Sequence, residues 1–215
     1  MASLPQDHAA LMDRVYRGQR HIYDATRKYF LFGRDRLIEG LNIAPGQTLL
    51  EVGCGTGRNL SLAAKRWKGA ELFGLDISEQ MLASARKTLG PKAVLKQGDA
   101  CAFNPQALFG HNGFDHVMIS FALSMIPDWQ GALAMACDTL APGGTLHIVD
   151  FGDAQGLPGL ARQALNGWLT RFHVSPRLDL VARAGALAAA RGMSVEPLRG
   201  PWGYYQIVVV RRSAV

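Results

Sequence analysis

Thr48-Leu49-Leu50-Glu51-Val52-Gly53-Cys54-Gly55-Thr56-Gly57 is the stretch that decides the fold. Five largely apolar residues read as a short buried strand, and the three glycines turn it into a helix that runs to about Trp67. Working outward, Glu71 to Ile77 reads as a second strand, and Ser78 as the N-cap of a helix reaching Leu89. Val94 to Gly98 gives a third strand and His116 to Phe121 a fourth, followed by a helix from Asp128 to Leu140. Pro142-Gly143-Gly144 reads as a turn into a fifth strand, Thr145 to Phe151. Strands alternating with helices of this length predict a parallel, doubly wound α/β sheet.

The flanks differ. Residues 11–32 carry apolar side chains at helical spacing, from Met12, Val15 and Tyr16 to Tyr29 and Phe30, and a second helical piece spans 34–41. After the fifth strand, Leu157, Leu160, Ala161, Ala164, Leu165, Trp168, Leu169 and Phe172 make an apolar helical stripe flanked by Arg162 and Arg171. A helix over 178–191 precedes two β-prone runs, Val195 to Leu198 and Tyr204 to Arg211. Gly200-Pro201-Trp202-Gly203 between them predicts a closing antiparallel hairpin. One domain over 1–215 results: an N-terminal helical lid (1–44), a core (45–152), a substrate- or membrane-facing helix (153–177), and a last helix with the hairpin (178–215).

At 215 residues and 48% hydrophobic content the chain can bury one substantial core. Cys54, Cys101 and Cys137 are far apart, which argues against a disulfide framework or a zinc site and for a reducing compartment. Without an apolar leader or a membrane-length apolar run, the expectation is a cytoplasmic protein. The net charge of +6 is uneven. Residues 40–154 hold eight basic and ten acidic residues, whereas residues 155–215 hold eight arginines against Asp179 and Glu196. A basic half suits an anionic partner or, equally, a solvated surface.

Glycines between strand and helix let the backbone approach a ligand and expose the amides of the helix start. Asp76 ends the second strand, nineteen residues after Gly57, where a carboxylate can accept ribose hydroxyls. Asp99 closes the third, where a carboxylate and the next amide can read an adenine edge. Nicotinamide dehydrogenases carry Gly-x-Gly-x-x-Gly, whereas Gly53, Gly55 and Gly57 are evenly spaced and Arg58 stands where the third glycine would be.

Glu51 to Gly57, Gly74-Leu75-Asp76-Ile77-Ser78, Gly98-Asp99-Ala100 and Phe114-Asp115-His116-Val117 resemble the successive motifs of class I S-adenosylmethionine (SAM)-dependent methyltransferases. The resemblance covers about residues 45–152 and implies a Rossmann-like seven-stranded sheet with an antiparallel terminal hairpin. It also implies SAM as cofactor. Glu51, Gly53, Gly55 and Gly57 would surround its methionine portion, Asp76 its ribose, and Ile77, Asp99 and Ala100 its adenine. Ser120 and Phe121 would floor the sulfonium.

The fourth strand ends Ile119-Ser120-Phe121-Ala122, without the Asn/Asp-Pro-Pro-Tyr/Phe element of enzymes that methylate base amines, which argues against nucleic acid. Residues 16–29, with Phe172-His173-Val174-Ser175-Pro176-Arg177, resemble bacterial betaine-lipid methyltransferases and, more loosely, phosphatidylethanolamine N-methyltransferases. The resemblance implies three successive N-methylations of diacylglyceryl-homoserine; the basic half and the Arg-flanked stripe suit an anionic membrane surface, and no metal is expected. Tyr16 and Tyr23, seven residues apart on one helix face, would offer aromatic faces to the quaternary ammonium product, and Arg20 would hold a carboxylate of SAM or homoserine. A soluble amine acceptor and a non-catalytic SAM-binding protein are the alternatives. The 157–172 helix reads either as an interfacial helix or as a lid packed on the sheet. Among the histidines, His116 and His147 fall inside strands, His21 and His173 in the flanks, and none is assigned as a base.

Overall fold

The computed structural model describes residues 33–172 and 174–214. Strand β1 (Thr48–Val52) is buried at every position, as a strand covered by helices on both faces must be. It is joined by β2 (Glu71–Asp76), β3 (Ala93–Gln97), β4 (Phe114–Ser120), β5 (Leu140–Phe151), β6 (Ser194–Arg199) and β7 (Tyr205–Arg211) in one sheet of order β3-β2-β1-β4-β5-β7-β6. The first five run parallel, and β7 lies antiparallel between β5 and β6. This is the Rossmann-like seven-stranded sheet with a terminal antiparallel hairpin that the motifs imply.

Period-two alternation divides the core between the two faces. Leu49, Met118, Val149 and Ile207 pack on one side, toward α1 (Arg34–Glu39), α2 (Arg58–Arg66) and α3 (Glu79–Leu89). Leu50, Val117, Ile148 and Val208 pack on the other, toward α5 (Trp129–Asp138) and α7 (Leu180–Ala189). As the sequence predicts, Ser78 caps α3, its hydroxyl accepting from the Met81 amide at 3.3 Å. Asp128 likewise caps α5, accepting from Gly131 N.

Three features depart from expectation. A helix that the periodicity does not signal, α4 (Pro105–Phe109), is only five residues long; it is set by Pro105 in its first turn and by Asn104, which accepts from Ala107 N at 3.0 Å. Strand β5 begins at Leu140, because Pro142-Gly143-Gly144 is absorbed as an irregularity in the β4 pairing. Gly143 sits at φ 77° there and donates to Ser213 O, and Gly144 O accepts from Arg212 N. The stripe over 157–172 forms helix α6 (Gly159–Arg171), but only Leu169 within it is buried. Leu165 and Trp168, half-buried, pack against the core beside it.

The expected helix over 11–32, and with it Tyr16, Arg20, Tyr23 and His21, lies outside the described residues, as does His173. No helix among the described residues is long and apolar enough to cross a membrane.

Candidate functional site

Strands β2 and β3 lie on one side of β1, and β4 and β5 on the other, so the winding direction switches between β1 and β4. In such sheets a crevice opens at the carboxyl ends of the strands flanking the switch. The register aligns those ends: Val52 pairs with Leu75 and with Ile119, and Asp76 with Gln97. The loop after β1, Asp76, the loop holding Asp99, and Ser120 therefore meet along one edge.

Gly53, Gly55 and Gly57 all adopt the left-handed conformation, with φ of 73°, 53° and 76°. A Cβ at Gly53 would fall 2.7 Å from Ala122 Cβ, so the loop can lie this close to the end of β4 only as glycine. Asp76 fixes the loop: one carboxylate oxygen accepts from Gly55 N at 2.7 Å and the other from Ser78 N at 2.9 Å. A carboxylate has about four acceptor positions, so these amides leave capacity for hydroxyls. Glu51 is buried and accepts from Asn59 Nδ2 at 2.7 Å across to the first turn of α2. Burial, with Asp76 and Glu51 beside it, pushes the Cys54 thiol up, so Cys54 is a neutral packing group and no nucleophile.

Beyond β3, Asp99 accepts from Cys101 N at 2.9 Å, and its carbonyl from Ala102 N, which shapes a tight turn around half-buried Ala100. Ile77, also half-buried, follows Asp76 directly. At the end of β4, Ser120 and Phe121 are buried, and Phe121 holds φ 52°, costly for an aromatic residue. Phe121 N donates to Val149 O at 2.8 Å. The loop that follows is clamped from three sides. Asp150 accepts from Ser124 N (2.9 Å) and Phe151 N (2.8 Å), Arg177 donates to Leu123 O (3.1 Å) and Ile126 O (2.8 Å), and Ser175 N donates to Ser124 O. Burial raises the Asp150 carboxyl to about 6 against the lowering pull of those amides and of Arg177.

Arg58 Nη1, Asn59 Oδ1 and Ser120 Oγ are buried without a hydrogen-bond partner among the described residues, and all three stand at this edge. A buried donor or acceptor without a partner costs about 1–3 kcal/mol, so a cluster of them marks where a polar ligand is received. Glycines that allow close approach, a cation at the helix start, a buried hydroxyl and acids on β2 and in the loop after β3 fit an amino acid–nucleoside cofactor. Arg58, Asn59, Asp150 and Arg177 were missed by the sequence reading. Asp150, an acid near the end of the fifth strand, obeys the rule that singled out Asp76.

His116 and His147 are at the opposite, amino edge, packed in strands as expected. Thr145 Oγ1 lies 2.9 Å from His116 Nδ1 and 3.0 Å from His147 Nε2, and Gln47 Oε1 is 3.2 Å from His116 Nε2. Burial first, then the charges of His116 and Arg211, lower His147 to about 3, and burial lowers His116. Neither is a base for chemistry at the carboxyl edge.

From Phe121 an aromatic series leads outward. Its ring meets Phe151 (4.8 Å between centroids), which meets Trp168 (6.3 Å) and Tyr204 (6.1 Å). Trp168 and Tyr204 line a cavity of about 740 Å³ between α6 and the β6–β7 turn, walled otherwise by Leu157, Ala161, Leu165 and Trp202. Tyr205, buried in the hairpin, also lines it, whereas Trp129 is buried under the Arg177 guanidinium, 5.8 Å from its ring centre.

Residues 49–144 match the family described as "Methyltransferase domain". A demethylmenaquinone methyltransferase of Corynebacterium efficiens is 32% identical over 152 residues, 68% of this chain and 60% of its own length. The chain thus spans about 60% of the length of the curated relatives it matches. Among solved structures, a chain of the Haloferax volcanii complex between the Trm112 methyltransferase activator and a methyltransferase superposes with a TM-score of 0.74 at 15% identity, covering 94% of this chain and 97% of that one. Phosphoethanolamine N-methyltransferase 2 of Haemonchus contortus, solved with SAM, gives 0.65 at 17% identity, covering 84% and 52%. With the glycine loop, the acids beyond β2 and β3, and the seven-stranded order, the family match identifies residues 49–144 as a methyltransferase domain of the class I type, with SAM as its cofactor.

Proposed function

We propose that the protein transfers methyl groups from SAM to the amine of an amphiphilic lipid, with diacylglyceryl-homoserine as acceptor and a trimethylated betaine lipid as product. The observation that carries this reading is the apolar cavity next to α6, joined to Phe121 through Phe151 and Trp168. A wholly water-soluble amine has no use for such a cavity, whereas an acyl chain fills it while its head group reaches inward. The amine comes from the likeness of residues 16–29 and 172–177 to betaine-lipid enzymes, in which Tyr16 and Tyr23 would offer aromatic faces to a head group that becomes a quaternary ammonium.

SAM supplies an electrophilic methyl group on its sulfonium. Asp76 would hold the ribose, Asp99 with Ala100 the adenine, and Glu51 the ammonium of the methionine portion. Arg58 would take the carboxylate through its open Nη1. In each round the site would hold a neutral amine nitrogen in line with the methyl group that SAM would supply, the sulfur keeping the electron pair, and the secondary or tertiary ammonium so formed would give up its proton to water on leaving. Alignment and exclusion of water supply the rate, a role for the clamped loop behind Phe121.

A second reading is favoured by the demethylmenaquinone methyltransferases among the relatives: the same cavity would seat the apolar part of a demethylmenaquinone. Labelled SAM offered with diacylglyceryl-homoserine, phosphatidylethanolamine, demethylmenaquinone or a soluble amine separates these readings. Label in the first supports the proposal; label only in another arm, or in none, removes it.

A further inference from the structure

Four large apolar side chains stand exposed among the described residues: Val94, Leu160, Leu178 and Trp202. One of them lines the apolar cavity and another adjoins a lining residue. Trp202, 66% exposed, lines it from the β6–β7 turn, and Leu160, 83% exposed, directly precedes the lining residue Ala161 in the first turn of α6. Trp168, which the helical stripe offers as a surface anchor, is instead half-buried, its ring 5.0 Å from that of Phe172.

The Trp202 backbone is left-handed, φ 54° and ψ 13°, a conformation in which a bulky residue is a true outlier. The neighbouring chain enforces it. Gly156 N donates to Trp202 O at 3.0 Å, and a Cβ on Gly156 would lie 2.7 Å from Trp202 Cα. Glycine at 156 thus lets the segment before α6 seat the turn, which leaves a large ring exposed. Strain of this kind is retained where the displayed group is used.

Charge distinguishes the surface further. Of the eight arginines after residue 155, Arg183, Arg191, Arg199 and Arg211 pair with carboxylates, and Arg177 and Arg212 donate to backbone carbonyls. Arg162 and Arg171 have no ion pair among the described residues, and α6 contains no acid. The basic excess read from the sequence is therefore no uniform field; of the arginines after residue 155, Arg162 and Arg171, both on the helix that walls the cavity, have neither an ion pair nor a carbonyl acceptor among the described residues.

We infer that the cavity mouth docks on an anionic lipid bilayer, with Leu160 and Trp202 inserted at the boundary between head groups and acyl chains and Arg162 and Arg171 against the lipid phosphates. Exposed apolar residues, cations on the same helix without an ion pair among the described residues and a cavity of hydrocarbon character are what an anionic interface complements. The inference rests on the proposed function only in that the acceptor would enter from the bilayer; docking itself needs no acceptor.

The test uses the full chain with vesicles of phosphatidylcholine and phosphatidylglycerol that contain no amine lipid. Binding should rise with the phosphatidylglycerol share and fall with salt. Acyl chains brominated near the head group should quench tryptophan emission, and Trp202→Phe should bind yet lose most of that quenching. Leu160→Glu with Trp202→Gly should weaken binding by at least about tenfold while SAM affinity is kept. If the double variant does not fold, the quenching difference between wild type and Trp202→Phe decides. No binding by the wild type, quenching indifferent to Trp202→Phe, or a dimer of this chain dissolved by the same substitutions would overturn the inference. Docking without methyl transfer to any lipid would leave this surface standing and remove the acceptor; transfer to detergent-dispersed lipid without docking would do the reverse.

Discussion

At the amino edge of the sheet, His116, His147, Thr145 and Gln47 hydrogen-bond among themselves, and Asp115 accepts from both the amide and the hydroxyl of Thr48. At the carboxyl edge, Asp76 and Asp150 accept from loop amides, and Arg58, Asn59 and Ser120 keep buried atoms without partners among the described residues. Both edges bury polar groups, yet only one satisfies its hydrogen bonds among the described residues. That difference separates a structural network from a ligand site without reference to any motif.

The edges should also respond to pH in opposite senses, the largest effect expected. The His147 pKa falls from 6.5 to about 3 on folding, so its contribution is complete above 6.5 and is lost as pH falls toward 3. Asp150 rises from 3.8 to about 6, so its contribution is complete below 3.8 and is lost as pH rises through 6. A tenfold change in proton affinity is worth about 1.4 kcal/mol, so each group contributes roughly 3–5 kcal/mol across its window. Urea unfolding between pH 4 and 8 should show Asp150→Asn removing a fall in stability and His147→Gln removing a rise. Unchanged pH slopes in both variants would break the comparison.

Next in size is Gly53→Ala, which places a Cβ against Ala122 at a left-handed position. It should cost about 2–3 kcal/mol in thermal unfolding and abolish measurable SAM binding by calorimetry. A variant that binds SAM normally would show that the loop is not closely apposed to β4.

The substitutions that sharpen the site are smaller. Asp76→Ala deprives Gly55 N and Ser78 N of their acceptor and should weaken SAM by about ten- to a hundredfold. Arg58→Ala should weaken it by about tenfold or less, with Arg58→Lys between, since one open guanidinium N–H is at stake. Equal affinity in Arg58→Ala and wild type would remove Arg58 from the site.

The carboxyl edge was legible in the sequence where its chemistry is local. Glycine spacing, the Ser78 cap and an acid at a strand end are read within a few residues, and Glu51 through Phe121 all fall on that edge or beside it. What stayed hidden depends on pieces distant in the chain. Arg177 supports a loop about fifty residues earlier, and Asn59 meets Glu51 only once β1 and α2 pack. The cavity is bounded by α6 and a turn forty residues further on, and no periodicity reports a space. Helix α4 was missed because five residues carry no helical period. The charge count was coarse for the same reason: eight arginines look like one basic field until their partners, some from the other half of the chain, are in place.

The most direct test of the central claim is transfer of label from methyl-labelled SAM by the full chain in mixed detergent micelles. The account predicts label in diacylglyceryl-homoserine, appearing as mono-, di- and then trimethylated lipid, with a water-soluble amine left unlabelled. Label confined to the soluble amine, to phosphatidylethanolamine or to demethylmenaquinone, or label in none of them, would contradict it.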